Sequence, residues 1–246
     1  MKSKILILVE GAKTEPPLMR HLLDVYHIGD NHEIVSYNTN IYVLYNEMFL
    51  EGDPDSIDLL RLLREREPDL EKKKIFDTHY SDILLIFDLD PQDPQFHPDK
   101  LIEMMEYFVE SSDMGKLYLN YPMVEAFYHM KSIPDKDYYT YTATLREVRK
   151  KKKEDGYKKR VERECRDSDF KNFAIDKAEC NTVILQNIEK AFMLIKADSP
   201  NPMQISLPKA IDILNAQVSL LEAEQKISVL CTCVFYIADY NPNLLL

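Results

Sequence analysis

Glu10, Asp88 and Asp90 each stand at the end of a short apolar run: residues 5–9 lead into Glu10-Gly11, and residues 83–87 lead into Asp88-Leu89-Asp90. Apolar runs of this length, rich in β-favouring residues, read as buried parallel strands. Acids at their ends deliver charge to the carboxyl edge of the sheet, where ligands of open α/β sheets gather. Three carboxylates brought together there repel one another unless a cation sits between them. The arrangement therefore asks for a hard divalent ion, Mg2+ or Mn2+, which takes carboxylate oxygens as ligands.

A second charged feature is basic. Between positions 146 and 166 eleven Lys or Arg residues stand against five acids, in a chain whose net charge is −11. Its densest part is Arg149, Lys150, Lys151, Lys152 and Lys153, followed by Lys158, Lys159 and Arg160, with Tyr138, Tyr139, Tyr141 and Tyr157 flanking or interrupting it. Phosphate backbones attract such a patch, and tyrosines stack on unpaired bases. A charge run is also the usual look of a solvated helical face. Beside a metal site, contact with nucleic acid is the favoured reading.

The elements that must position these residues alternate between strand-like and helix-like segments up to about residue 132. After the first strand, Pro16-Pro17 opens a helix with Leu18, His21, Leu22 and Val25 on one face. Residues 34–45 read as extended. Pro54 starts a charged helix to about Glu67, the second acid-bearing strand covers 82–87, and a loop rich in proline and aspartate follows from 91 to 99. Leu101, Met104, Met105 and Phe108 form another helical face, residues 116–119 a short strand, and Pro122 opens a helix toward Met130. Strands separated by helices of this length mean βαβ units and a mainly parallel sheet flanked by helices. Beyond Pro134 the character changes: 141–166 is densely charged, and 173–197, 207–224 and 227–238 read as helices. The expected organisation is α/β, with a core over 1–132 and an α-helical C-terminal extension over 133–246.

Composition narrows the class. A chain of 246 residues with 45% hydrophobic and 30% charged residues buries a real core. Its acidic balance argues against binding nucleic acid with the whole surface. Cys165, Cys180, Cys231 and Cys233 form no CxxC pair, so reduced core thiols are expected rather than a zinc site or a secreted scaffold. The N-terminal apolar run is too short for a signal peptide and is ended by Glu10, and no run is long enough to span a membrane. A cytosolic protein without a membrane partner is expected.

The segment Val9-Glu10-Gly11-Ala12-Lys13-Thr14-Glu15-Pro16 resembles the opening of Toprim domains, and Phe87-Asp88-Leu89-Asp90 resembles their DxD motif. A third block, Leu119-Asn120-Tyr121-Pro122-Met123-Val124-Glu125-Ala126-Phe127, resembles the strand, Asn-x-Pro and helical Glu of RloB-like and OLD-type Toprim proteins of phage-defence and abortive-infection loci. The resemblance covers about residues 4–131. It implies a Toprim-like fold in which Glu10 serves acid–base chemistry or metal binding, Asp88 and Asp90 hold a divalent ion, and Glu125 completes the site. Asn120 matches the residue just before that helical block. The implied activity is Mg2+-dependent cleavage of nucleic-acid phosphodiesters, RNA such as tRNA or DNA, in anti-phage defence. Lys13 either contacts phosphate or is a solvated loop lysine. No GxxxxGK[ST] is present, so an ABC-type ATPase, if one takes part, is a separate partner chain.

Two further readings stay open. The chain could be a non-catalytic subunit whose carboxylates hold a structural ion and whose helices dock such an ATPase. A response-regulator phosphoacceptor is disfavoured, because Pro91 follows the Asp pair and no matching lysine strand stands out. Leu207, Ile211, Leu214, Val218 and Leu221, with Val229, Val234, Phe235 and Ile237, form apolar stripes that belong to the core or, if exposed, to a homodimer or partner surface.

Overall fold

A computed structural model describes residues 3–50, 53–150, 155–197 and 206–246. In chain order the elements are β1 (Lys4–Val9), α1 (Glu15–Val25), β2 (His32–Ser36), α2 (Ile41–Tyr45), α3 (Leu59–Arg66), α4 (Leu70–Phe76), β3 (Tyr80–Asp88), α5 (Pro98–Tyr107) and β4 (Lys116–Asn120). Then follow β5 (Thr142–Thr144), α6 (Leu145–Arg149), α7 (Tyr157–Glu164), α8 (Phe170–Phe173), α9 (Lys177–Leu194), α10 (Ala210–Glu224), β6 (Lys226–Ser228) and α11 (Tyr236–Tyr240). The fold is α/β, with a four-stranded, wholly parallel sheet in the order β2-β1-β3-β4, consistent with the Toprim-like architecture expected.

Leu6, Ile7, Leu8 and Val9 on β1 and Leu84 to Phe87 on β3 are almost completely buried, which is why these strands read as unbroken apolar runs. The strand order also fixes where a site can form. From β1 the chain goes to β2 on one side, then crosses to β3 on the other, so β1 and β3 flank the point where the winding reverses. Their carboxyl ends border the crevice that this topology opens.

Several segments depart from the sequence expectation. Residues 34–45 are not one strand. β2 ends at Ser36, and α2 begins behind Asn40, whose side chain accepts from the Val43 N–H. The 54–67 segment holds a 3-10 turn and then α3, capped by Asp58, and α4 follows it behind the Asp69 cap. Pro122 opens a single 3-10 turn, Val124–Phe127, rather than a helix to Met130. The helix expected at 227–238 is instead β6, an irregular stretch, a 3-10 turn over Cys233–Phe235 and the short α11. Gln225 ends α10 in the left-handed conformation (φ 54°), and β6 pairs antiparallel with β5.

The C-terminal half is keyed to the sheet at β4. Tyr121 and Leu230 exchange backbone hydrogen bonds at 2.8 Å each, the Thr232 hydroxyl donates to the Leu119 carbonyl at 2.6 Å, and Lys116 pairs with Asp239 at 2.7 Å. Leu214, Leu221, Val229, Val234, Phe235 and Ile237 are buried, and Leu207, Ile211 and Val218 pack against the same core. The stripes considered for a dimer face thus cover the chain's own interior. Cys180, Cys231 and Cys233 are buried and all four cysteines are free thiols. Among the described residues no helix is long and apolar enough to cross a membrane.

Candidate functional site

Three neighbouring strand ends assemble the site. Glu10 lies one residue past β1, yet its N–H still donates to the Ile86 carbonyl at 3.1 Å, so pairing with β3 carries it beyond the strand. Asp88 is the last residue of β3 and pairs in register with Asn120, the last of β4. The Glu10 Oε2 accepts from the Asp88 N–H at 3.1 Å, and the Asn120 Nδ2 donates to the Asp88 Oδ1 at 3.3 Å. Asp90 sits beyond the strand with φ 42°, in the left-handed region that aspartate tolerates better than most residues. The Tyr42 hydroxyl fixes this corner by donating to the Leu89 carbonyl, and Gln92 Nε2 donates to Asp90 Oδ1 at 2.7 Å.

Two more carboxylates face this edge. Glu125, on the 3-10 turn after β4, is buried, and its Oε2 has no hydrogen-bond partner among the described residues. Glu15, the first residue of α1, is also buried, and the backbone at Glu15 and Gly11 counters the effect of that burial on its carboxyl. A Cβ on Gly11 would stand 3.1 Å from Glu15 Oε2, so the glycine leaves room for that carboxylate over the turn.

The electrostatic cost of this gathering shows in the protonation of the acids. Burial, and then the Asp90 carboxylate, push Glu10 up to about 8, while the Asp88 N–H acts the other way. Burial and then Glu10 raise Asp88 well above the usual carboxylate range. Burial likewise raises Asp90 and Glu15, each with Glu125 adding to the effect. Clustered acids with these shifts mark a place built for a positive group.

Such a group is Lys158. Its Nζ lies 2.7 Å from Glu125 Oε1. Partial burial opposes its charge, but Glu125, then Asp88 and Asp90, outweigh that and raise its pKa. Lys158 arrives on α7, whose preceding Gly156 touches the end of α6: a Cβ there would stand 2.9 Å from both the Glu147 carbonyl and Lys150 Cβ. The next residue, Tyr157, is buried against His129, whose Nδ1 lies 3.2 Å from the Tyr157 hydroxyl. Close approach at Gly156 and this buried pair set the position from which Lys158 reaches the acids.

The basic segment expected to bind nucleic acid divides accordingly. Lys13, Arg149, Lys150, Lys158 and Lys159 line the same cavity as the acids, about 1130 Å³ in volume, with Asn38, Asn40 and Gln92 also on its wall. Arg160 has an internal role instead of a phosphate-facing one. It donates to the Thr142 carbonyl and pairs with Glu147 and Glu164, tying α6, α7 and β5 together. Lys151, Lys152 and Lys153 lie outside the described residues. His97 is exposed beside Asp99, whereas His129 is fully buried.

The structure thus brings Glu10, Asp88, Asp90 and Glu125 to one cavity and adds Glu15, which sequence reasoning missed. The available signal was its position at the start of a helix five residues after Glu10, close enough to fold back over the Gly11 turn. Among the described residues no three His, Cys, Asp or Glu side chains form a ready coordination group. The donor chemistry nevertheless fits a hard divalent cation: the candidate ligands are all carboxylates, one buried oxygen of Glu125 lacks a partner, and Lys158 is drawn in as counter-charge. No protein-family model, curated protein or solved structure matches the chain.

Proposed function

We propose that the protein is a divalent-metal-dependent nuclease that hydrolyses phosphodiester bonds of nucleic acid. The observation that supports this best is the convergence of acids from separate elements at the switch point of a parallel sheet, in a cavity that Lys13, Arg149, Lys150, Lys158 and Lys159 also line. By the motif resemblance, its setting is bacterial defence against phage.

Asp88 and Asp90 would hold a Mg2+ or Mn2+ ion, with Glu125 as a further ligand. When bound, the ion supplies a Lewis acid that stabilises charge on the phosphoryl oxygens and acidifies water. Glu10 contributes acid–base chemistry. Its Oε2 is engaged by the Asp88 N–H, so in the carboxylate form Oε1 is the oxygen that takes a proton from the attacking water. Lys158 Nζ answers the charge that builds on the phosphate, and Lys13, Arg149, Lys150 and Lys159 orient the backbone. Water adds to phosphorus, the P–O bond to the leaving nucleoside breaks, and the products are a phosphomonoester and an alcohol.

The test is cleavage of total tRNA and of plasmid DNA with Mg2+, Mn2+ or EDTA, comparing wild type with the Asp88→Asn, Asp90→Asn double variant. Metal-dependent cleavage lost in the folded variant is expected, and the substrate cut names the class. Equal turnover in the variant would remove these residues from the chemistry. Metal uptake without cleavage of either substrate would favour a non-catalytic subunit.

A further inference from the structure

Asn120 is fully buried beside Asp88, and both ends of its side-chain amide are committed. Oδ1 accepts from the Cys233 N–H at 3.3 Å and from the Cys231 thiol at 3.5 Å. Nδ2 donates to Asp88 Oδ1 at 3.3 Å. The Cys233 N–H, fixed in the backbone, decides which way the amide faces, because a flipped amide would set its own N–H groups against it, and the Cys231 thiol adds a second donor.

Both donors belong to the C-terminal half, and they are held firmly. The Cys231 N–H donates to Asn187 Oδ1 on α9 at 2.9 Å, and the neighbouring Thr232 hydroxyl is tied to the carbonyl of Leu119. Asn187 in turn accepts from the buried Tyr138 hydroxyl at 2.6 Å. A connected set of buried hydrogen bonds thus runs from α9 through the 231–233 turn and Asn120 to a carboxylate of the site.

We propose that Asn120 is a positioning residue for Asp88, and that the Cys231–Cys233 turn is the mount that aims it. By holding Oδ1, Asn120 leaves Oδ2 as the oxygen offered to a cation. Outer partners that orient ligating carboxylates act on metal affinity as well as on rate. This role rests on the divalent-metal reading above, so the deciding measurement is metal uptake rather than cleavage.

The experiment is calorimetric titration of the full chain with Mn2+, on wild type, Asn120→Ala, Asp88→Asn and the double variant, with a thermal melt of each. Asn120→Ala is expected to weaken Mn2+ binding by about 10- to 100-fold. In the Asp88→Asn background the same change should have no further effect, since Asn120 acts through that carboxylate. Cys231→Ala should weaken binding in the same direction, whereas Cys231→Ser, which keeps a donor, should retain wild-type affinity. Should Asn120→Ala fail to fold, the Cys231 pair decides, and equal affinity of alanine and serine variants would overturn the proposal. So would a folded Asn120→Ala that binds as wild type does, or a loss of the same size in the Asp88→Asn background. A wild-type chain that takes up no Mn2+ would overturn the metal reading and this role with it.

Discussion

Lys158 Nζ lies 2.7 Å from Glu125 Oε1, so a lysine from the C-terminal half closes on a carboxylate that follows the last strand of the sheet. Lysine and metal therefore compete for one negative field. Lys158→Ala is expected to tighten Mn2+ binding while weakening nucleic-acid binding. It is also expected to lower the melting temperature of the metal-free protein. The ion pair joins a half-exposed lysine to a buried acid, so a loss of about 1 kcal/mol is reasonable. That corresponds to a shift of roughly 2–4 °C for a chain of this size. Melts in EDTA and in Mn2+ check it, and weaker Mn2+ binding by Lys158→Ala would make the lysine a support of the site rather than a competitor.

The raised acids also set a pH dependence. Glu10 has an ordinary value of 4.5 and stands at about 8 in the folded chain, so between those values the folded state holds a proton that the unfolded state has released. Stability from this group is present at low pH and is lost as pH rises through about 8. His129 works the other way over a lower range. Burial first, then Arg160, pull it down from 6.5 to about 4, so the unfolded chain binds the extra proton and stability rises across that interval. Urea unfolding in EDTA should therefore show wild type losing stability from pH 6.5 to 8.5, with Glu10→Gln flattening that limb. Between pH 4.5 and 6.5 the two groups oppose each other, so His129→Gln should uncover the fall due to Glu10 there and leave the limb above pH 6.5 unchanged. A wild-type curve rising between pH 6.5 and 8.5 would contradict the acid cluster.

The acid-bearing strands were legible because burial on both faces writes itself as an unbroken apolar run, and because Glu10 and Asp88 sit where those runs stop. The segment Ile41-Tyr42-Val43-Leu44-Tyr45 misled for a physical reason. Four of its five residues are β-branched or aromatic, with an extended local preference, yet the Asn40 cap and burial make it helical. At 225–228 no glycine or proline marks the end of α10, so the change to a strand left no trace in composition. Lys158 and Arg160 were indistinguishable from their neighbours in a charge run. Their separation, one to the acids and one to internal carboxylates, depends on how α7 docks, which no local pattern records.

The basic segment thus makes opposite forecasts for the cavity wall and for Arg160. Arg149→Glu with Lys150→Glu reverses charge on the cavity wall, and should weaken nucleic-acid binding with a shallower salt dependence. Each lost phosphate contact removes a slope of about 0.9 for duplex DNA or about 0.7 for single strands. Arg160→Ala should leave the salt slope unchanged but destabilise the fold, because Glu147, Glu164 and the Thr142 carbonyl all lose a partner. Filter binding across a salt series, beside melts of both variants, separates the roles. A shallower slope in Arg160→Ala would return that residue to the binding face.

Gly156 gives the sharpest test of how the C-terminal half reaches the site. Its backbone is ordinary for any residue, at φ −104°, so conformational freedom is not the reason for glycine here. The reason is space, since a methyl group would meet the Glu147 carbonyl and Lys150 Cβ at 2.9 Å each. One of those atoms is backbone and cannot swing aside, so α6 and α7 must part. Overpacking of this kind costs about 1–3 kcal/mol. Gly156→Ala is therefore expected to lower the melting temperature and, by shifting α7, to withdraw Lys158 from Glu125. The second effect has its own signature: Mn2+ affinity should rise toward that of Lys158→Ala even though residue 158 is intact. A Gly156→Ala protein that melts lower but binds Mn2+ as wild type does would mean that α7 holds Lys158 in place through Tyr157 and His129 alone.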